Sequence, residues 1–271
     1  MDRKISIIWL VCLLGLAAWA NATPTTYGSV GIGTGINTPS PITPPCGNAN
    51  IYLNYDDSAE NAYCWQYGGT VPPCYGAFAE CYRQTGTVCG IELALTSLGN
   101  PCRTYDAYVW DDRGGSPGNV LSMTTGKNPC PVSTWPNVYT IDMEITPVSV
   151  AGSFWIGYWA DFSAQPCGYF IAADLDGRGG CPYTNIAPGI GFPTGWQNVS
   201  VVWGPTKALG IGAWLTDLSP GACCYNNGGC SITLQDDCPG QWRGADTTCD
   251  PSPCDTPVRD NSWGRMKATY R

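Results

Sequence analysis

The stretch from Thr104 to Thr124, TYDAYVWDDRGGSPGNVLSMT, decides the fold of this chain. Its first half alternates, so that Tyr105, Ala107 and Val109 share one face and the residues between them share the other. A period of two carried by aromatic and β-branched residues is typical of a β-strand. Segment 111–118 then supplies the acidic, glycine and proline residues of a turn, and a return strand follows. The pattern predicts an antiparallel hairpin whose buried face other strands must cover.

Similar short strand candidates, separated by Gly, Pro and Asn turns, occur along most of the chain, and no window shows helical periodicity. The candidates are Ile51–Tyr55, Ala77–Arg83, Val88–Thr96, Tyr105–Trp110, Val120–Met123, Val138–Ile145, Ser153–Ala160, Tyr169–Ala173, Val199–Trp203 and Ala208–Leu215. This spacing predicts an all-β fold, a jelly-roll-like antiparallel β-sandwich followed by a small disulfide-rich C-terminal module.

Composition divides the chain into five segments. We predict a signal peptide at 1–22, a Thr/Gly/Pro-rich linker at 23–45, the β-sandwich domain at 46–218, a cysteine-rich module at 219–255 and a sorting-like C-terminal tail at 256–271. The alternative for the linker is a first edge strand around Tyr27–Val30.

The N-terminus has the three parts of a secretory signal. Arg3 and Lys4 are basic, Ile5–Ala18 is apolar, and Ala20-Asn21-Ala22 is a small-x-small cleavage site. An uncleaved membrane anchor is the alternative, but the apolar run is short for a bilayer. We therefore expect a secreted protein, extracellular or at the cell surface, with no transmembrane segment after cleavage.

The charge balance argues against two classes of partner. Cleavage would remove two of the 13 basic and one of the 21 acidic residues, which leaves a net charge of −9. Such a chain repels nucleic acid and anionic membranes. We therefore expect no nucleic-acid partner.

Cysteine is abundant, and in an exported chain it indicates disulfides. Fifteen cysteines remain after Cys12 leaves with the signal peptide, nine of them before residue 182 and six in the module. The module cysteines are Cys223, Cys224, Cys230, Cys238, Cys249 and Cys254. These six can pair among themselves, whereas the other nine leave one thiol that is free or bonds to the module or to a second chain. Zinc is the alternative for the module, which lacks a CxxC pair.

The chain contains no histidine, which restricts catalysis. Ser-His-Asp and Cys-His machinery and histidine zinc sites are excluded. We predict that the protein is not an enzyme. The alternative is a glycoside hydrolase that relies on two carboxylates.

Acidic residues cluster in predicted turns, where calcium can find oxygen ligands. Our first choices for a calcium site are Asp56, Asp57 and Asp112, with the Asp174-x-Asp176-Gly177 loop a weaker candidate. The alternative is that these aspartates only initiate turns through bonds to their own backbone.

Aromatic residues on the outer strand faces are candidates for ligand binding. Trp155 and Trp159 lie opposite the core face of their strand. Tyr108, Trp110 and Trp214 lie opposite theirs. Flat aromatic side chains beside Asn and Asp can stack on sugar rings, and they also suit protein contacts. The alternative is that both strand faces are buried.

Three motifs resemble those of secreted β-sandwich proteins from environmental Gram-negative bacteria. They are the Tyr55–Asn61 segment with the Val109–Leu121 hairpin (WDD…GGSPGNVL), the Gly221-Ala222-Cys223-Cys224 module and the Ser262–Arg271 tail (SWGRMKATYR). The resemblance implies an exported sandwich, a cysteine-rich spacer and a short C-terminal signal read by secretion or sorting machinery. It implies no activity, and this chain has unusually many cysteines in the sandwich.

Together these features predict a non-catalytic binding or adhesion protein, extracellular or at the cell surface. A glycan is the favoured ligand, and a surface protein is the other partner considered. A structural component of a surface layer or matrix is the main alternative, ahead of the hydrolase.

Overall fold

Two long antiparallel strands, β5 (Phe78–Thr96) and β8 (Asn137–Trp159), run through the centre of the computed structural model. They pair from Phe78 opposite Tyr158 to Leu95 opposite Tyr139. The register shifts between Val88 and Gly90, the kind of irregularity that bends a strand. The described residues are 27–38, 44–47, 49–56, 58–65, 74–162, 166–217, 221–234, 237–245 and 247–254.

The other elements are short. They are β1 Tyr27–Ser29, β2 Ile36–Thr38, β3 Asn50–Tyr52, β4 Asn61–Trp65, β6 Tyr105–Asp112, β7 Pro117–Lys127, β9 Phe170–Asp174, β10 Tyr183–Ile186, β11 Gly195–Asn198, α1 Ser200–Trp203, β12 Ala208–Leu209, β13 Ile211–Asp217, β14 Gly221–Cys224, β15 Cys230–Thr233 and β16 Gln241–Ala245. The main path of neighbours is β1-β4-β9-β5-β8-β6-β7, and β13 pairs with β5 and β3.

The predicted fold class is confirmed. Apart from the parallel pair β2–β8, the strand pairs are antiparallel, and the sandwich is jelly-roll-like. Its main core holds Val109 from β6, Ile91 and Leu93 from β5, Ile156 from β8 and Ile211 from β13. Aromatic and aliphatic side chains from the inner faces of many strands therefore share one core, which stabilises the fold through removal of apolar surface from water.

The organising hairpin forms as predicted. Strands β6 and β7 pair antiparallel around a turn at residues 113–116. Tyr105, Ala107 and Val109 lie in the main core, as the alternation indicated.

Three sequence predictions need correction. The candidates Ala77–Arg83 and Val88–Thr96 are one strand, β5, and the candidates Val138–Ile145 and Ser153–Ala160 are one strand, β8. Gly86 and Gly152 are paired in regular register within these strands, and Pro147 lies opposite the register shift between Val88 and Gly90, so none of them reverses the chain. The strand predicted at Val199–Trp203 is mostly the short helix α1.

The linker prediction for 23–45 is wrong for its described part, where the edge-strand alternative is correct. Strand β1 pairs with β4, and β2 pairs with β8. The backbone between them is also bound, because Val30 N–H donates to Ala62 O (3.2 Å) and Gly35 N–H to Ala59 O (2.6 Å). Strand pairing uses backbone N–H and C=O groups and requires no bulky side chain, so the Thr/Gly/Pro-rich composition of this segment could not reveal that it joins the sheet.

Seven disulfides link the described residues. In the sandwich they are Cys46–Cys89, Cys64–Cys167, Cys81–Cys181 and Cys102–Cys130. In the module they are Cys223–Cys238, Cys224–Cys254 and Cys230–Cys249, around a three-stranded sheet in the order β15-β14-β16. The six module cysteines pair among themselves as predicted, and the odd thiol is Cys74.

The signal peptide and the C-terminal tail lie outside the described residues, as does Asp57. Within the described ranges, no helix has the length and apolar character needed to cross a membrane.

Candidate functional site

The outer aromatic face predicted to bind ligand is mostly buried. Tyr108, Trp110 and Trp155 are each less than a tenth exposed. The β10–β11 hairpin covers them, with the Trp196 ring 5.2 Å from that of Trp110 and the Tyr183 ring 4.8 Å from that of Trp155. The prediction is therefore wrong for these three residues, because no ring face is left for a sugar.

Trp214 is buried for a different reason. It packs with Ala49 and Cys89 under the segment that the Cys46–Cys89 disulfide ties down. Its indole N–H donates to Asp142 Oδ1 at 2.7 Å. Trp214 is thus a structural residue, and the ligand-binding prediction is wrong for it as well.

Trp159 is the one predicted aromatic that keeps partial exposure. It lines a cleft of about 220 Å³, here called the Trp159 cleft. The charged lining residues are Arg103, Asp106 and Asp161. A half-buried indole beside one cation and two carboxylates combines an apolar surface with donors and acceptors of hydrogen bonds.

Several contacts fix the geometry of the cleft. Asp106 lies directly opposite Trp159 in the β6–β8 register. The Trp159 indole N–H donates to Tyr75 O at 3.1 Å, and Asp106 Oδ1 accepts from the Gly126 N–H at 2.8 Å. The Cys102–Cys130 disulfide anchors the chain next to Arg103. The cleft is therefore preorganised rather than formed by mobile side chains.

Buried tyrosines lie beside the cleft. The Tyr105 ring packs edge-on to Tyr158 with the centroids 5.8 Å apart. Among the described residues, the buried hydroxyls of Tyr105 and Tyr169 have no hydrogen-bond partner. Burial raises the pKa of both phenols, so they stay neutral and cannot serve as a general base near neutral pH.

A second cluster joins three carboxylates. Oxygen atoms of Asp56, Asp174 and Asp176 all lie within 4.8 Å of one another. Asp112, one of the first choices for calcium, is not in this cluster, and its Oδ1 accepts from the Trp155 indole at 2.8 Å. Asp56 and the Asp174–Gly177 loop do come together.

Backbone N–H groups already donate hydrogen bonds to the Asp174 carboxylate. Asp174 Oδ1 accepts from the N–H groups of Asp176 (3.1 Å) and Gly177 (2.6 Å), and Oδ2 accepts from that of Asp56 (3.0 Å). A Cβ on Gly177 would collide with Asp174 and lie 2.7 Å from Asp56 Oδ2, so glycine permits the close approach. The aspartates thus initiate the turn, and they also offer the oxygen ligands that calcium prefers.

Two buried glutamates were not predicted as site residues. Glu80 accepts from Leu209 N–H (2.6 Å), Asn54 Nδ2 (2.9 Å) and Cys181 N–H (3.0 Å). Burial raises the pKa of Glu80 to about 7 despite these three donors. Glu80 thereby connects the loop before Asp56 to the loop after Asp176.

Glu92 is the second buried glutamate. It accepts a short hydrogen bond from the Tyr55 hydroxyl, and burial followed by the nearby Asp142 raises its pKa to about 7. Glu92 lies directly opposite Asp142 in the β5–β8 register.

No protein-family model matches the chain, and no curated protein matches it. Among solved structures, it is similar to the crystal structure of the cysteine protease and lectin-like domains of Cwp84, a surface-layer-associated protein of Clostridium difficile. The identity is 12% and the TM-score 0.43, over 63% of this chain and 36% of that chain. This chain therefore spans little more than a third of that protein chain.

Proposed function

We propose that this protein is an exported, non-catalytic binding protein whose ligand is a glycan held in the Trp159 cleft. The observation that carries the proposal is the half-buried indole of Trp159 between Arg103, Asp106 and Asp161. An indole face stacks on the C–H face of a pyranose, while carboxylates accept and guanidinium donates hydrogen bonds to its hydroxyls. The volume of about 220 Å³ is small for a ligand site, so the cleft would hold about one sugar unit rather than a folded protein partner.

Export is supported by the covalent structure. Disulfides form and persist in oxidising compartments, and 14 of the 15 cysteines after residue 22 are paired. The tail at 256–271 would then direct the exported protein through the sorting machinery. Fusing 256–271 to a secreted reporter should move it to another cell fraction, and an unchanged location would contradict the role of the tail.

A glycan array tests the binding proposal. The wild-type chain should bind a defined set of neutral saccharides, and Trp159→Ala should weaken that binding at least about tenfold, because loss of one aromatic stacking platform costs more than 1 kcal/mol. Trp242→Ala is the matched control, since Trp242 is another half-buried tryptophan but lies in the module. Equal binding of the neutral saccharides by wild type and Trp159→Ala, or no neutral saccharide bound by the wild type, would refute the proposal.

A further inference from the structure

A second concave surface lies beside the Glu80 network, because its lining includes Asn54 and Cys181, which both donate hydrogen bonds to Glu80. This surface, the Arg83 groove, has a volume of about 590 Å³, within the range of about 300–1,000 Å³ typical of ligand sites. Its lining includes Tyr52, Leu53, Asn54, Arg83 and Gln84. It shares no lining residue with the Trp159 cleft.

The walls of the Arg83 groove are held rigidly. The Cys81–Cys181 disulfide joins two of its lining residues. Asn54 Nδ2 donates to Cys81 O and to Glu80 Oε2, both at 2.9 Å. A Cβ on Gly180 would lie 2.5 Å from Glu80 Oε2, so glycine is needed for this wall to close over the buried carboxylate. A ligand would therefore meet a preformed surface and would not have to order it.

The charge in the groove is opposite to that of the protein as a whole. Arg83 is exposed, it is the one charged residue of the lining, and among the described residues its guanidinium has no ion-pair or hydrogen-bond partner. The side chains of Gln84 and Ser153 likewise have no hydrogen-bond partner within the described ranges. An unpaired guanidinium in a preformed groove is suited to bind a carboxylate through two parallel hydrogen bonds.

We propose that the Arg83 groove binds an acidic saccharide, with its acid group on Arg83 and its ring against Tyr52 and Leu53. The hydroxyls of the ring would meet Gln84, Ser153 and the amide oxygen of Asn54. A phenol and an aliphatic side chain beside neutral polar groups match the mixed surface of a pyranose, whereas a peptide would need backbone partners along its length. This site goes beyond the proposed function because it is separate from the Trp159 cleft and selects a different chemical class.

Equilibrium titrations of the full chain test the proposal with four probes. They are an oligogalacturonide (carboxylate only), a dextran sulfate oligosaccharide (sulfate only), a neutral galacto-oligosaccharide of equal length and hexaglutamate. The wild type should bind at least one of the two acidic saccharides. Comparison of the oligogalacturonide with the dextran sulfate oligosaccharide shows whether the preferred acid group is a carboxylate or a sulfate. In the Trp159→Ala chain, where the Trp159 cleft no longer contributes, binding of the neutral oligosaccharide should be at least about tenfold weaker than that of the acidic one, because a charge-assisted bidentate contact is lost.

Substitutions at two exposed arginines show whether the acid group binds at Arg83. Arg83→Gln should weaken binding of the acidic saccharide about tenfold or more, and Arg83→Lys should have an intermediate effect because it keeps the charge but loses the planar fork. Arg113→Gln, an equal charge change at another exposed arginine, should bind like the wild type. Thermal melts should be unchanged, since Arg83 has no partner among the described residues.

Three results would overturn the proposal: no binding of either acidic saccharide, equal losses in Arg83→Gln and Arg113→Gln, or tighter binding of hexaglutamate. Trp159→Ala should keep its affinity for the acidic probe. Failure at the Trp159 cleft is therefore distinguishable from failure at the Arg83 groove.

Discussion

Glu80 shows how one buried side chain can make stability depend on pH. In the unfolded chain its carboxyl ionises near the ordinary value of 4.5, whereas in the folded protein burial keeps the proton until about pH 7. The folded state therefore binds more protons between these values, so the free energy of unfolding should fall as pH rises from 4.5 through 7. The difference between the folded and unfolded pKa of Glu80 corresponds to about 3 kcal/mol in the free energy of unfolding. Denaturant unfolding at pH 5 and pH 8 measures it, and Glu92 should add a similar contribution.

The Glu80→Gln variant isolates this contribution, because the amide mimics the protonated acid. Its loss of stability between pH 5 and pH 8 should be about 3 kcal/mol smaller than that of the wild type. Glu144→Gln, at an exposed position, is the control and should keep the wild-type slope. Identical slopes for wild type and Glu80→Gln would contradict the assignment.

At the same scale, the sequence indicated which aromatic residues share a face but not which faces are covered. Alternation placed Trp110 and Trp155 opposite the core correctly. Their cover comes from Tyr183 and Trp196, which a local pattern cannot reveal because they are distant in sequence. Trp159 stays partly exposed because it is the last residue of β8, and the residues that bury Trp110 and Trp155 do not bury it completely.

At the scale of elements, the sequence predicted the β6–β7 hairpin and the fully buried β9 but missed β4. The β6–β7 hairpin was predicted because its alternation is intact. All five residues of β4 are buried, so the sequence carries no alternation there. The Asp56 and Asp174 loops meet because Asn61 of β4 pairs with Ala173 of β9, a long-range register that a single sequence does not encode visibly.

These two loops yield a prediction about calcium, which we expect to bind at Asp56, Asp174 and Asp176. Millimolar calcium should raise the melting temperature by a few degrees, since a ligand of the folded state stabilises it by mass action. Asp176→Asn should abolish the rise, because it removes one of the three carboxylates of the cluster. The turn itself should stay folded, because Asp176 is exposed and the hydrogen bonds that Asp174 accepts remain intact.

The control for calcium is Asp237→Asn, an exposed aspartate of the module with the same change in charge. This variant should respond to calcium like the wild type. A melting temperature insensitive to calcium in the wild type would rule out the site.

At the scale of the whole molecule, the covalent framework predicts a monomer with seven disulfides and one thiol once cleavage of the signal peptide has removed Cys12. Intact mass before and after reduction should show this count, and alkylation without reduction should modify Cys74 alone. That reaction should be slow near neutral pH, because burial raises the pKa of the Cys74 thiol and leaves little thiolate. A disulfide-linked dimer without a free thiol would instead favour a structural surface-layer or matrix role.

The central claim is that a saccharide occupies the Trp159 cleft. The most direct test is to follow the indole N–H resonances of the tryptophans by NMR while titrating a saccharide that the array identifies. We predict that the Trp159 signal shifts to saturation while the signals of Trp214 and Trp242 stay in place. A saturating ligand that leaves the Trp159 signal unchanged would contradict the account.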